Sequence, residues 1–266
     1  MVMIKAAYKI LVLGIILSLI YSPTFPLPLI AIFEGFALAL FLAWFMSKLD
    51  LKPESAFALI WLSLLMIGGF NNMLEGYFFT KIYSSIALFT NQMLKSLFMT
   101  MLESASAVLL LQPHGSMGVL AALRNHLASR SRSSWVKRMV IASAAFFPVY
   151  FIFGAIVSPF VIPFYSRASS GLVIPPIQTI LALELGRGFI YTAVLLVVFA
   201  GLKGDRKLDF RVAFALLYIP GALLPLVSSM VELSVISQVA PYHMVELLAD
   251  SGVYGFIAAR LLGAGK

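Results

Sequence analysis

The chain contains no cysteine. Disulfides, cysteine–zinc sites, iron–sulfur clusters and thiol catalysis are excluded with it. Charge is scarce too. Asp, Glu, Lys and Arg make up 11% of the 266 residues, where a soluble domain carries about a quarter. There is no Gly-rich phosphate loop or other nucleotide-binding motif, no HExxH helix and no GxSxG elbow. An Asp-rich prenyl-diphosphate motif is missing, as is the paired-Glu, Arg and His pattern of membrane CAAX-type proteases. Basic residues occur without a recognisable nucleic-acid module, so no nucleic-acid partner is expected.

What remains is apolar. Hydrophobic residues reach 61% of the chain, and the mean hydropathy is +1.00. The apolar runs are long and continuous, unlike the short alternating segments of a barrel. In lipid every backbone group must be bonded within its own segment, so these runs predict helices. About 20 residues cross a bilayer. Runs of that kind occupy residues 8–22, 27–46, 56–79, 83–111, 139–164, 174–201, 211–233 and 242–263. The expected fold is an all-α polytopic membrane protein with eight transmembrane helices. Lys5 and Lys9 ahead of the first run resemble a signal peptide. Ser22-Pro23 leads into the next run without a small-residue cleavage site, so the first helix reads as retained.

The net charge of +8 is distributed unevenly. Lys5 and Lys9 precede the first run, and Lys48 and Lys52 lie in the second connection. Arg124, Arg130, Arg132, Lys137 and Arg138 lie in the fourth, and Lys203, Arg206, Lys207 and Arg211 in the sixth. Arg260 and Lys266 end the chain. The odd connections carry only Lys81 and Arg167. By the positive-inside rule this alternation predicts an inner, plasma membrane protein with both termini cytoplasmic. Linker 113–138 adds Val119, Leu120, Leu123 and Leu127, spaced for one side of a short interfacial helix. Arg124, Arg130 and Arg132 would then face phosphates, making anionic lipids a candidate partner.

Segment Ala213–Ile236 repeats segment Ala56–Phe79 at an offset of 157. Ala-Phe-Ala-Leu recurs, Trp61 meets Tyr218, Asn71-Asn72 meets Ser228-Ser229, and Glu75 meets Glu232. Three further patches match in chain order. Ser22-Pro23 corresponds to Ser158-Pro159, Glu34-Gly35-Phe36 to Arg187-Gly188-Phe189, and Gln92 to Lys95 to His243 to Glu246. The pattern predicts two parallel four-helix repeats, residues 1–112 and 139–266, joined by the basic linker 113–138. A pseudo-two-fold axis along the membrane normal would relate them.

Polar residues inside spans are costly and mark interiors or water-filled cavities. Asn71, Asn72 and Glu75 share one helix face, as do His243, Glu246 and Asp250. Glu184 and Arg187 lie three positions apart in the sixth run and Glu34 lies in the second, so Arg187 is expected to contact Glu34 or Glu184. With Glu232 these are the candidates for substrate binding or proton coupling. The repeat sets Glu34 opposite Arg187 and Lys95 opposite Glu246, two candidate structural ion pairs. His243 and Glu246, with Glu75, form a weak metal pattern. Pro175, Pro176, Pro220 and Pro225 predict broken or kinked sixth and seventh helices.

Three functions fit these features. The first is a small-solute transporter, permease-like, with an outward-facing polar cavity between the repeats. The second is a membrane-embedded enzyme acting on a lipid or isoprenoid at the outer leaflet. The third is a non-catalytic accessory subunit.

Overall fold

The computed structural model describes residues 2–24, 26–231 and 235–263. The described residues are 83% helical. Among the described residues there is no strand, only three isolated bridges between connections. The long helices are α1 (Val2–Tyr21), α2 (Leu29–Met46), α5 (Ile86–Leu111), α7 (Arg132–Tyr165), α8 (Ile177–Ala200) and α11 (Ala240–Leu262). Two further long segments are each interrupted. In one, α3 (Pro53–Ser63) passes through a π-helical stretch, Leu64–Phe70, into α4 (Asn71–Phe79). In the other, α9 (Arg206–Tyr218) passes through a π-helical stretch, Ile219–Leu223, into α10 (Leu224–Val231). A short helix, α6 (Val119–Ala128), lies between α5 and α7.

Among the described residues six segments are long and apolar enough to cross a membrane: Leu29–Met46, Pro53–Phe79, Ile86–Leu111, Arg132–Tyr165, Ile177–Ala200 and Arg206–Val231. The protein is thus an all-α, membrane-like helical bundle. Helix α7 runs through Pro148, Pro159 and Pro163 without interruption. Membrane helices tolerate such prolines because neighbouring groups satisfy the freed carbonyls. Pro176 instead caps the start of α8, where its missing N–H is harmless. Pro220 sits in the second π stretch. The first π stretch contains no proline and was not foreseen.

Small residues set the closest helix contacts. A Cβ on Gly35 of α2 would run into the Ser18 backbone of α1, and one on Gly188 of α8 into the Ser143 carbonyl of α7. Such close approach between membrane helices substitutes for the missing hydrophobic driving force. At the crossing of the two π stretches, Gly68 lies against the Pro220 carbonyl and Gly221 against Ile67.

The basic connections gather at one end of the bundle. Asp50 N–H donates to Gly201 O (2.9 Å) and Lys203 N–H to Lys48 O (2.8 Å). Lys203 also forms an ion pair with Asp50 at 3.2 Å. Lys52 N–H donates to Met117 O, which brings in the linker. Linker side chains then cap the end of α11. His126 Nε2 bonds Leu262 O (2.7 Å), Arg138 donates to Leu261 O (3.2 Å) and Arg130 to Gly263 O (2.9 Å). Arg130 also lies over the Trp135 ring, 4.7 Å from its centroid. Arg130 therefore serves the unsatisfied carbonyls of a helix end, a contact that its sequence position did not mark. Arg124 and Arg132 are exposed. Helix α7 starts at Arg132, inside the segment expected to be linker. Burial lowers the pKa of His126, the Leu262 bond opposes this, and Arg130 lowers it further.

Candidate functional site

An ionic cluster sits where α4, α7, α8 and α11 converge. Its centre is Arg187, 2% exposed. An unpaired Arg at a helix centre costs on the order of 2.5–3.5 kcal/mol on insertion scales. Helical spacing of three brings Glu184 onto the same face, and Arg187 Nη1 donates to both of its carboxylate oxygens at 3.0 Å. Arg187 Nη2 reaches Glu75 Oε2 at 2.9 Å, from a different helix. The rings of Phe146 and Tyr150 lie 5.5 and 6.0 Å from the guanidinium carbon, adding face-on attraction. Arg187 Nε has no hydrogen-bond partner.

Two small cavities adjoin this cluster. The larger, about 100 Å³, is lined by Asn72, Glu75, Thr80, Tyr165, Ser229 and His243. His243 Nδ1 and Glu246 Oε2 are 2.5 Å apart. The smaller, about 20 Å³, is lined by Arg187, Tyr191, Asp250, Ser251 and Tyr254. Asp250 is 3% exposed, yet neither carboxylate oxygen has a hydrogen-bond partner among the described residues. A buried polar group left without partners is expensive. Next to it, Tyr254 Oη bonds Thr192 Oγ1 at 3.0 Å.

A third cavity, about 560 Å³, lies among α1, α2, α5 and the second interrupted helix. Tyr21, Glu34, Gln92, Lys95, Thr100 and Glu103 line it. The crossing of the π stretches stands between it and the ionic cluster. Leu64, Gly68, Pro220 and Leu224 belong to the large cavity's wall, and Asn72, Gly221 and Ala222 to the walls of the smaller ones. The Asn72 side-chain amide donates to Gly68 O and Gly221 O, both at 2.9 Å, and so ties the two π stretches together.

The sequence candidates thus divide. Glu75, Glu184, Arg187, His243, Glu246 and Asp250 meet around the ionic cluster and its cavities, with Asn72 at their edge. Asn71 is buried on α4 with neither side-chain atom bonded. Glu232 falls outside the described residues. Glu34 and Lys95 line the large cavity. The partners of Arg187 are Glu184 and Glu75, where the repeat had suggested Glu34. Glu246 is bonded to His243, where it had suggested Lys95. The physical reason is location: the π crossing separates the members of each expected pair. The metal pattern fares similarly. Among the described residues no group of three or more His, Asp or Glu could hold a metal, since Glu75 turns to Arg187. Sequence reasoning missed Tyr21, Phe146, Tyr150 and Tyr191. An aromatic in an apolar run carries no mark of its neighbours.

Comparison of the chain with family models, curated proteins and solved structures returns no match.

Proposed function

We propose that the chain is a small-solute transporter, permease-like, working around the crossing of its two interrupted helices. The observation that carries this reading is the Asn72 bridge between Gly68 O and Gly221 O, with polar cavities on both sides of it. π turns inside helices are rare and recur at functional sites. Transporters place substrate and ion sites where discontinuous helices meet between repeats.

On this reading α1 and α11 cross the membrane as well, giving eight helices in two parallel repeats. Several contacts support the duplication. Leu49 and Leu202 pair in an antiparallel bridge, and they differ by the same 153 positions as Glu34 and Arg187. Two bonds frame that pair, from Asp50 N–H to Gly201 O and from Lys203 N–H to Lys48 O. Glycines 35 and 188, each at a tight helix contact, are also equivalent. The cavity walls correspond too. Gln92, Thr100, Gly68 and Glu34 of the large cavity have His243, Ser251, Pro225 and Arg187 as counterparts around the smaller ones.

Both sets of cavities reach the end away from the basic connections, through Ser22 and Pro28 on one side and Thr80 and Leu172 on the other. Positive-inside placement makes the basic end cytoplasmic and the cavities outward-facing in a cell membrane. Glu75, Glu184 and Arg187 would form a gate, and His243, Glu246 and Asp250 the solute- or proton-coupling side chains.

Reconstitution tests this. Proteoliposomes holding a pH-sensitive dye are challenged with panels of small cations, anions and neutral solutes. At least one class should drive flux above empty liposomes, and Arg187→Gln should abolish it in a folded protein. No flux with any class would return the chain to the accessory-subunit reading. The His243–Glu246 bond beside the open cavity favours a second reading, a lipid- or isoprenoid-directed enzyme. That reading requires product formation lost in His243→Gln.

A further inference from the structure

The hollow of about 20 Å³ beside Arg187 is walled by oxygen-bearing side chains from different helices. Asn72 reaches it from α4, and Asp250, Ser251 and Tyr254 reach it from α11. Tyr254 stands four residues from Asp250 and three from Ser251, so the three share one helix face. Asp250 is buried, and neither of its oxygens has a hydrogen-bond partner among the described residues. Arg187 leaves it unanswered. Its Nη1 is held by Glu184 and its Nη2 by Glu75.

The charge count points the same way. Four carboxylates stand around the cluster: Glu75, Glu184, Glu246 and Asp250. Among the described residues, Glu75 and Glu184 share the one guanidinium of Arg187, and Glu246 is paired with His243. With the carboxylates ionised and His243 protonated, two negative charges remain in excess. Asp250 feels Glu246, Glu75 and Glu184 as well as Arg187. Carboxylates at membrane depth pair or mark an ion path, and a bound cation is the strongest local answer to them.

The walls say which cation. Both amide N–H bonds of Asn72 go to Gly68 O and Gly221 O. That fixes the amide's orientation and leaves its Oδ1 available as an acceptor. The hollow then offers one carboxylate with neutral amide and hydroxyl oxygens, a set for a hard cation and not for a transition metal. A water-sized sphere takes about 10–15 Å³ of such space, so the hollow holds a single one. Calcium needs roughly six to eight oxygens, and magnesium keeps several waters; neither fits. An organic ammonium is larger than the space. We propose that the hollow binds one monovalent cation of sodium's size, with Asp250 as its charged ligand and Asn72, Ser251 and Tyr254 as neutral ones. Asn72 also ties the two π stretches together, so the cation bears directly on their crossing. As a coupling ion it rests on the transport reading; as a bound ion it does not.

Thermal unfolding of the full chain in neutral detergent tests binding without transport. Sodium chloride replaces choline chloride at constant ionic strength, and potassium chloride does so in a parallel series. Sodium should raise the melting temperature by roughly 4 °C, and potassium by clearly less. Asp250→Asn should lose the sodium shift while melting no lower than the native chain in choline alone. Glu103→Gln, in the large cavity, should keep the shift. If D250N does not fold, Ser251→Ala should move the sodium midpoint several-fold higher. No sodium shift in the native chain overturns the site, as does an unchanged shift in D250N or an unchanged midpoint in S251A where that stands in. An equal loss in E103Q moves the cation to the large cavity and also overturns it. An equal potassium shift overturns the assignment by size. A shift produced by lowering the pH and not by sodium gives the charge to protons and overturns the metal ion. Flux in proteoliposomes separates the two readings. A sodium shift without flux leaves the site standing and removes transport, and flux without a sodium shift does the reverse.

Discussion

The cavities on the two sides of the π crossing draw on positions that the proposed duplication makes equivalent, yet they are filled differently. On one side about 560 Å³ stays open around Glu34, Lys95 and Glu103. On the other, space shrinks to hollows of about 100 and 20 Å³ around Arg187 and its carboxylates. On the proposed duplication, substitutions would account for the difference: Leu38 and Glu103 of the open side would correspond to Tyr191 and Tyr254 of the closed side, and Glu34 to Arg187. Larger rings take up volume, and a guanidinium draws Glu184 and Glu75 inward. If the proposed duplication holds, one backbone frame serves as a lock on one side and as a chamber on the other.

The largest expected effect sets lock against chamber. Arg187→Met leaves Glu184 buried without its partner and should destabilise the protein by about 3–5 kcal/mol. Lys95→Met, at an exposed position on the chamber wall, should change stability by less than about 0.5 kcal/mol. Denaturant or thermal unfolding measures both. Equal losses would dissolve the contrast.

Next come the two glycines. Gly35→Ala and Gly188→Ala each force a methyl into the backbone of the neighbouring helix, and each should cost about 1–3 kcal/mol. Closely matched losses sharpen the case for two equivalent halves. A loss at one glycine only would break it.

Asp250 should behave in the opposite sense. Both its oxygens lack hydrogen-bond partners among the described residues, so Asp250→Leu should raise stability by about 1 kcal/mol while removing flux in proteoliposomes. A destabilised variant would mean that the carboxylate is satisfied in the folded protein.

The smallest effect is a pH dependence at the basic end. The folded-state pKa of His126 lies below its ordinary value, burial being the main cause. The neutral form is favoured in the folded protein, so the unfolded chain binds the proton more readily. Stability from this residue is present above the ordinary histidine pKa of about 6.5 and is lost as pH falls through it toward the folded value. His126→Gln should flatten the melting-temperature profile below that pH. An unchanged profile would show that His126 takes no part.

The sequence exposed those features that depend on composition or on short helical spacing. Helical class and membrane character follow from apolar runs, the basic end from the placement of Lys and Arg, and the Glu184–Arg187 bond from their separation by three. It hid what depends on how helices face one another. Nothing near Glu75 marks it as the second partner of Arg187. Nothing near Arg130 or Arg138 marks the last turn of α11, whose end carbonyls both side chains reach. The break at Pro220 has a visible cause. The one at Leu64–Phe70 shows only Gly68-Gly69, which also fits an ordinary tight crossing.

That first π stretch has a geometric consequence. A π turn accommodates one residue more than the α-helical count, and each residue turns a helix by about 100°. It therefore acts as a gear, re-aiming everything that follows it. Gly68 and Gly69, within the stretch, line the chamber, while Asn72 and Glu75, beyond it, address the lock. Winding the stretch into a regular α coil with every residue kept would swing Glu75 by about a quarter turn away from Arg187, whereas removing a single residue there would close the turn and leave Glu75 aimed as before. The extra residue and the π turn therefore belong together, and either one changed alone costs the segment its grip on the opposite half.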